Sequence, residues 1–153
     1  MKTMRRSDRA ITLQEAETVL NNAEYGVLST VGRNGQPYGV PLSFVYKDGG
    51  IYFHCALDGQ KLDNIEYNSK VSFCAVGATK VLPAKFATEY ESALVFGVAS
   101  DVTGPERQKA LLWLLEKYCP EYIKEGTQYI EQKDQATKVF KIKIDHISGK
   151  ARR

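Results

Sequence analysis

The sequence predicts an α+β fold that is mainly β: a barrel of about six mostly antiparallel strands with flanking helices. Three observations predict it. β-favouring runs are separated by short turns rich in glycine, apolar residues take helical spacing at only a few places, and several strands are so long and apolar that an open edge would be a liability.

Each element has its own local signal. TLQEAETVLNN (12–22) opens on a capping box, Thr12 with Glu15, and carries Leu13, Ala16, Val19 and Leu20 at helical spacing. YGVLSTV (25–31) is a strand, and Asn34-Gly35 is a hairpin signal leading to a second strand, PYGVPLSFVY (37–46). Pro37 and Pro41 put that strand on an edge or at a bulge. Lys47-Asp-Gly-Gly50 turns into IYFHCA, so these three strands are expected to form a meander. After Gly59 a short helix carries Leu62, Ile65 and Tyr67 inward, and KVSFCAVGA (70–78) is the fourth strand. Residues 79–89 are ambiguous by pattern, with Pro83 arguing for a loop. YESALVFGVASDV (90–102) is long enough to cross a whole sheet, with Gly97 marking a kink or bulge. Thr103-Gly-Pro-Glu106 is a second capping box before the apolar helix RQKALLWLLEKYC, which Pro120 stops. A more polar helical stretch runs to about residue 136. Val139, Phe140, Ile142, Ile144 and Ile147 belong to a closing strand. With no repeat, linker or low-complexity segment, residues 1–153 read as a single domain.

Bulk properties exclude several function classes. Apolar residues at 43% and charged residues at 25% are ordinary for a globular protein. No apolar run approaches the ~20 residues of a membrane span, and MKTMRRSDRA lacks the apolar core of a signal peptide. Three cysteines without a CxxC pair suit reduced thiols in a cytoplasm. A net charge of +3 with scattered lysines does not argue for nucleic acid, whereas a small anionic ligand stays compatible.

Chemistry concentrates in YFHCALDGQKLDNI (52–65). His54 and Cys55 are adjacent on a strand, point to opposite faces and cannot share a metal ion, and HExxH is absent, so no metal site is expected. A Cys–His nucleophile pair, His54 or His146 beside Cys55, Cys74 or Cys119, has no local signature to support it. Asp58-Gly59-Gln60-Lys61 leaves a strand and enters a helix. A helix N-terminus attracts anions, Gly59 admits close approach and Lys61 adds a charge, which together suit a phosphate. On pattern alone an ordinary junction is the simpler account.

The runs MRRSDRAIT (4–12), YGVLSTVGRNGQPYGVPLSFVYKDGGIYFHCALDGQKLDNIEYNSKVSFCAV (25–76), YESALVFGVA and HISGKARR resemble the pyridoxamine-5′-phosphate-oxidase-like flavoproteins. Within them the chain is most similar to the branch related to 5-nitroimidazole resistance proteins. The resemblance implies a split β-barrel that dimerises and binds FMN in clefts between subunits. Val40, Pro41, Leu42 and Ser43 would then lie along the flavin ring, with Phe53, His54 and Cys55 beneath the ring or ribityl chain. Lys61, the backbone around Gly59, and Asn64 would hold the phosphate. Ser29 and Thr30 would be polar contacts, and Lys150 would approach the ring, from its own subunit or the partner.

The activity this resemblance implies is that of an FMN-dependent oxidoreductase reducing a small acceptor, for example a nitroaromatic, with His54 as the catalytic residue. The alternative is a flavin- or haem-binding carrier or sensor without turnover, and a deazaflavin would need a more basic surface. The arginine-rich signature of true pyridoxamine phosphate oxidases is absent, so that activity is not expected.

Overall fold

The computed structural model describes all 153 residues. Seven strands form one antiparallel sheet: β1 (Gly26–Val31), β2 (Pro37–Leu42), β3 (Val45–Lys47), β4 (Gly50–Cys55), β5 (Lys70–Leu82), β6 (Ala87–Val102) and β7 (Lys138–Arg152), in the spatial order β2-β1-β5-β6-β7-β4-β3. The helices are α1 (Leu13–Asn22), α2 (Gln60–Tyr67), α3 (Gly104–Tyr118) and α4 (Ile123–Lys133). No helix is long and apolar enough to cross a membrane.

The expected second strand, 37–46, is two strands. β2 and β3 lie at opposite edges of the sheet, and only Ser43 and Phe44 separate them in the chain. The expected meander is therefore broken. β2 pairs with β1, β3 pairs with β4, and β4 takes β7 as its other neighbour. The two-residue crossover draws both edges together, so the sheet coils into a barrel split along the line between β2 and β3.

Local chemistry explains most elements. The α1 capping box forms: the Glu15 N–H donates to Thr12 Oγ1 (3.1 Å) and the Thr12 N–H donates to Glu15 Oε2 (2.8 Å). Ala16, Val19 and Leu20 are buried against the barrel, whereas Leu13 is exposed. The tight primed turn sits at Asp48 and Gly49, both at positive φ, while Asn34-Gly35 belongs to a five-residue loop between Val31 and Pro37. The second capping box does not form, because Glu106 instead accepts from the Tyr52 hydroxyl (2.8 Å) and pairs with Lys141 (3.3 Å). The residues after 78, ambiguous by pattern, are strand: β5 and β6 continue as a hairpin arm to Leu82 and Ala87. Pro83 starts the short 3-10 turn at its tip.

The core has two parts because some strands are covered on both faces. Inside the barrel, Leu28, Phe44, Ile51, Phe53, Phe73, Val95 and Ile142 pack with α1 and α2. Outside it, α3 lays Ala110, Leu111 and Leu114 over Val45, Tyr52 and Val139, with Trp113 edge-on to Tyr52 at 5.4 Å. Val139 and Phe140 are neighbours on β7 and serve opposite cores.

The bulge expected at Gly97 is present, since the β6–β7 register shifts between Phe96 and Gly97. A Cβ there would lie 2.3 Å from the Lys143 carbonyl oxygen. Gly97→Ala is therefore expected to destabilise the fold by about 2–3 kcal/mol in denaturant unfolding, as overpacking does. A loss near zero would mean that the strands do not approach so closely.

Candidate functional site

Ser43 and His54 converge where the barrel splits. Both line a cavity of about 330 Å³ whose other wall is α3 and α4, through Leu111, Leu114, Leu115, Tyr118 and Ile130. Alternation along β4 sends Phe53 and Cys55 inward and Tyr52 and His54 outward under α3. The His54 side chain stays accessible from the cavity, yet the surrounding protein withholds enough water to lower its pKa below the ordinary imidazole value.

The crossover beside this cavity is tied down by the end of α3. Tyr118 Oη accepts the Phe44 N–H (3.0 Å) and donates to the Glu24 carbonyl (2.6 Å), and Lys117 Nζ donates to the Phe44 carbonyl (2.9 Å). Lys117 also lies 3.9 Å from the Phe44 ring centroid, and burial lowers its pKa to about 8.

The Asp58–Lys61 junction adjoins the end of β4. Gly59 takes φ 141°, which other residues rarely adopt, and a Cβ there would meet nothing, so its environment is open. Its carbonyl accepts the N–H groups of Leu62 and Asp63. Lys61 is half-buried near Cys55: burial pushes the Cys55 thiol up, and the Lys61 and Lys138 charges partly oppose this. Asn64, 2% exposed, donates to Thr30 Oγ1 (3.0 Å) and accepts from Gln60 Nε2 (2.8 Å). Thr30 and Asn64 thus lock α2 to β1.

Not every expected residue reaches this place. Phe53 is fully buried inside the barrel, stacked on Phe140 at 5.7 Å, so its side chain cannot lie beneath a ring outside. Val40 and Leu42 pack against the inner core, whereas Pro41 is exposed on the edge strand. Ser29 faces outward on β1, between Gly39 and Ser72. Lys150 is remote: Lys138 pairs with Cys55, and Lys150 lies twelve residues further along β7, about 40 Å of strand contour. Within one chain Lys150 sits at the far end of β7 from the segment that adjoins Cys55 and Lys61.

Sequence reasoning named Cys119 only as one possible partner of His54 and missed the rest of the α3–α4 wall, including Arg107, Tyr129, Lys133 and Thr137. The one signal for it was the apolar excess of ALLWLLEKY, more than a single buried stripe needs.

An NMR titration is expected to show His54 protonating below the free imidazole value of about 6.5. The unfolded ring then takes its proton at the higher pH, so stability falls as pH drops through about 6.5 and levels off below the folded pKa. His54→Gln should remove that component; an unaltered stability profile would mean that the ring titrates as if in water.

A family model for pyridoxamine 5′-phosphate oxidase matches residues 12–151. No curated protein matches the chain. Among solved structures, a candidate 5-nitroimidazole antibiotic resistance protein from Bacteroides thetaiotaomicron is 23% identical with a TM-score of 0.79, covering 93% of this chain and 86% of that one. An FAD-binding protein from Mesorhizobium loti is 22% identical with a TM-score of 0.68, covering 95% and 98%. HutZ, the haem storage protein from Vibrio cholerae, is 18% identical with a TM-score of 0.67, covering 88% and 92%. At these identities the likeness is one of fold. The match over residues 12–151 carries the assignment: the chain belongs to the pyridoxamine 5′-phosphate oxidase family.

Proposed function

We propose that the protein is an FMN-dependent oxidoreductase that reduces a small, nitroaromatic-type acceptor. The observation that carries the reading is the meeting of Ser43 and His54 at one cavity, beside a strand end that runs directly into the open Gly59–Lys61 junction. Three features fit a flavin. β2 is an edge strand with one side of its backbone unpaired, open to the polar rim of a ring. Gly59 leaves the junction open, and Lys61 supplies a charge for a phosphate. Bound FMN would supply the electron-transfer chemistry.

The chain's own residues do the rest. Val40 to Ser43 flank the ring through the β2 backbone and the Ser43 hydroxyl. His54, neutral near pH 7, presents an N–H that hydrogen-bonds to the acceptor and orients it. The apolar faces of α3 and α4 exclude water. The likeness to the Bacteroides protein supports a nitro compound as acceptor, and the likeness to the Mesorhizobium protein supports a bound flavin. Cys55, Cys74 and Cys119 are unpaired, in keeping with a reducing, cytoplasmic setting.

A homodimer belongs to the same reading. Cys74, Leu94 and Ser148 form a row across the outer face of β5, β6 and β7, which no helix covers. Val76 and Leu94 there are 39% and 37% exposed. Burying this face against a second copy removes apolar surface from water and offers a route for the partner's Lys150 to reach the cleft.

Likeness to the haem storage protein favours a second reading, a carrier without turnover. Absorption spectra separate flavin from haem. The enzyme reading expects bleaching of the bound flavin by NADH or NADPH and reoxidation by a nitro compound; a spectrum indifferent to both supports the carrier.

Lys61→Ala is expected to weaken FMN binding at least tenfold while leaving riboflavin nearly unaffected, as loss of a charge-assisted contact to phosphate implies. Equal losses would remove the phosphate role. Light scattering of the purified protein is expected to give a two-chain mass, and a monomer that retained FMN would exclude a shared cleft.

A further inference from the structure

The polar inventory of the α3–α4 cavity is lopsided. No Asp or Glu is among its lining residues, and two cations are, Arg107 and Lys133. Arg107 is already committed: its guanidinium donates to Asp134 Oδ1 (2.5 Å), the Asp134 carbonyl (3.0 Å) and the Thr137 carbonyl (3.0 Å). Lys133, in the last turn of α4, makes no ion pair or side-chain hydrogen bond, and its side chain is exposed. The remaining walls are Leu111, Leu114, Leu115 and Ile130, with Tyr118 and Tyr129 presenting aromatic surface.

We propose that this cavity selects a planar aromatic carboxylate of one or two rings, its ring held between the leucine wall of α3 and Ile130 of α4 and its carboxylate paired with Lys133. The proposal rests on the acceptor-pocket reading for its biological sense, and names the substrate class that reading leaves open. Volume sets the size, because about 330 Å³ is at the small end of ligand pockets and excludes large polycyclic compounds. Charge sets the sign. An organic cation would meet the unpaired Lys133 ammonium and an Arg107 already neutralised by Asp134, whereas a carboxylate at the rim meets the one uncommitted ammonium. A neutral ring would bury the same apolar area without that pairing. The neutral His54, which also lines the cavity, accommodates a ring substituent without adding a charge.

Calorimetric titration of the purified full chain tests this without any turnover, using 1-naphthoate, the neutral 1-naphthalenemethanol and the cation 1-naphthylmethylammonium. Naphthoate is expected to bind about threefold to fivefold more tightly than the alcohol, and the ammonium most weakly, as an ion pair to an exposed ammonium implies. Lys133→Ala is expected to bring naphthoate to parity with the alcohol, and Lys133→Arg to retain the preference. Lys133 is exposed, so neither change threatens the fold. Lys85→Ala, at the exposed tip of the β5–β6 arm, should leave naphthoate binding unchanged, which separates a specific pairing from a general loss of surface charge. Equal binding of the three probes, no naphthoate binding, or a preference that survives Lys133→Ala overturns the proposal. Failure of nitro reduction with naphthoate selectivity intact would instead count against the oxidoreductase reading alone.

Discussion

Most of this structure depends on two residues, Ser43 and Phe44, that carry the chain from one edge of the sheet to the other. A flat sheet of seven strands would set its edges about 29 Å apart, six spacings of about 4.8 Å. Three peptide steps from Leu42 to Val45 reach only about 10 Å. The sheet must coil until its edges nearly meet, yet β2 and β3 do not pair, so the seam stays open. Phe44 fills the inside of the seam, fully buried and edge-on to Phe73 at 4.7 Å. Ser43 is left at its mouth.

Closing the barrel halfway creates both a problem and a site. The outer face of β3 and β4 beside the seam is apolar at Val45 and Tyr52, and α3 covers it. The same helix ends at Lys117 and Tyr118, whose polar tips satisfy the Phe44 backbone groups that no strand partner reaches. α4 then lies over α3 with none of its own residues fully buried, tied back through Arg107 to Asp134 and Thr137. Because helix and sheet meet imperfectly there, a cavity remains, and the residues around it come from the crossover, β4, α3 and α4. Stability and site share one origin.

The junction with α2 follows a different logic. Thr30 and Asn64 bury a hydrogen bond between β1 and α2, which fixes the helix and with it the exposed turn at Gly59. Polar residues that looked like ligand contacts are in part the frame that holds the ligand-facing backbone. Phe53 is similar: its place beside His54 suggested a contact, and strand alternation gives its side chain to the core.

Local signals determined a good deal. The α1 capping box, the Gly97 bulge, the edge position of the proline strand and the opposition of His54 to Cys55 all follow from steric and hydrogen-bonding rules acting within a few residues. The family resemblance, resting on nearly the whole chain, indicated the split barrel and drew attention to Ser43, His54 and Lys61. Tertiary structure alone decided the rest. Whether residues 37–46 form one strand or two depends on which distant strands compete for their edges, and Glu106 leaves its capping role only because Tyr52 and Lys141 arrive from elsewhere. Which helix covers β4, and hence which side chains wall the cavity, is set by packing between segments some sixty residues apart, a relation that no local pattern encodes.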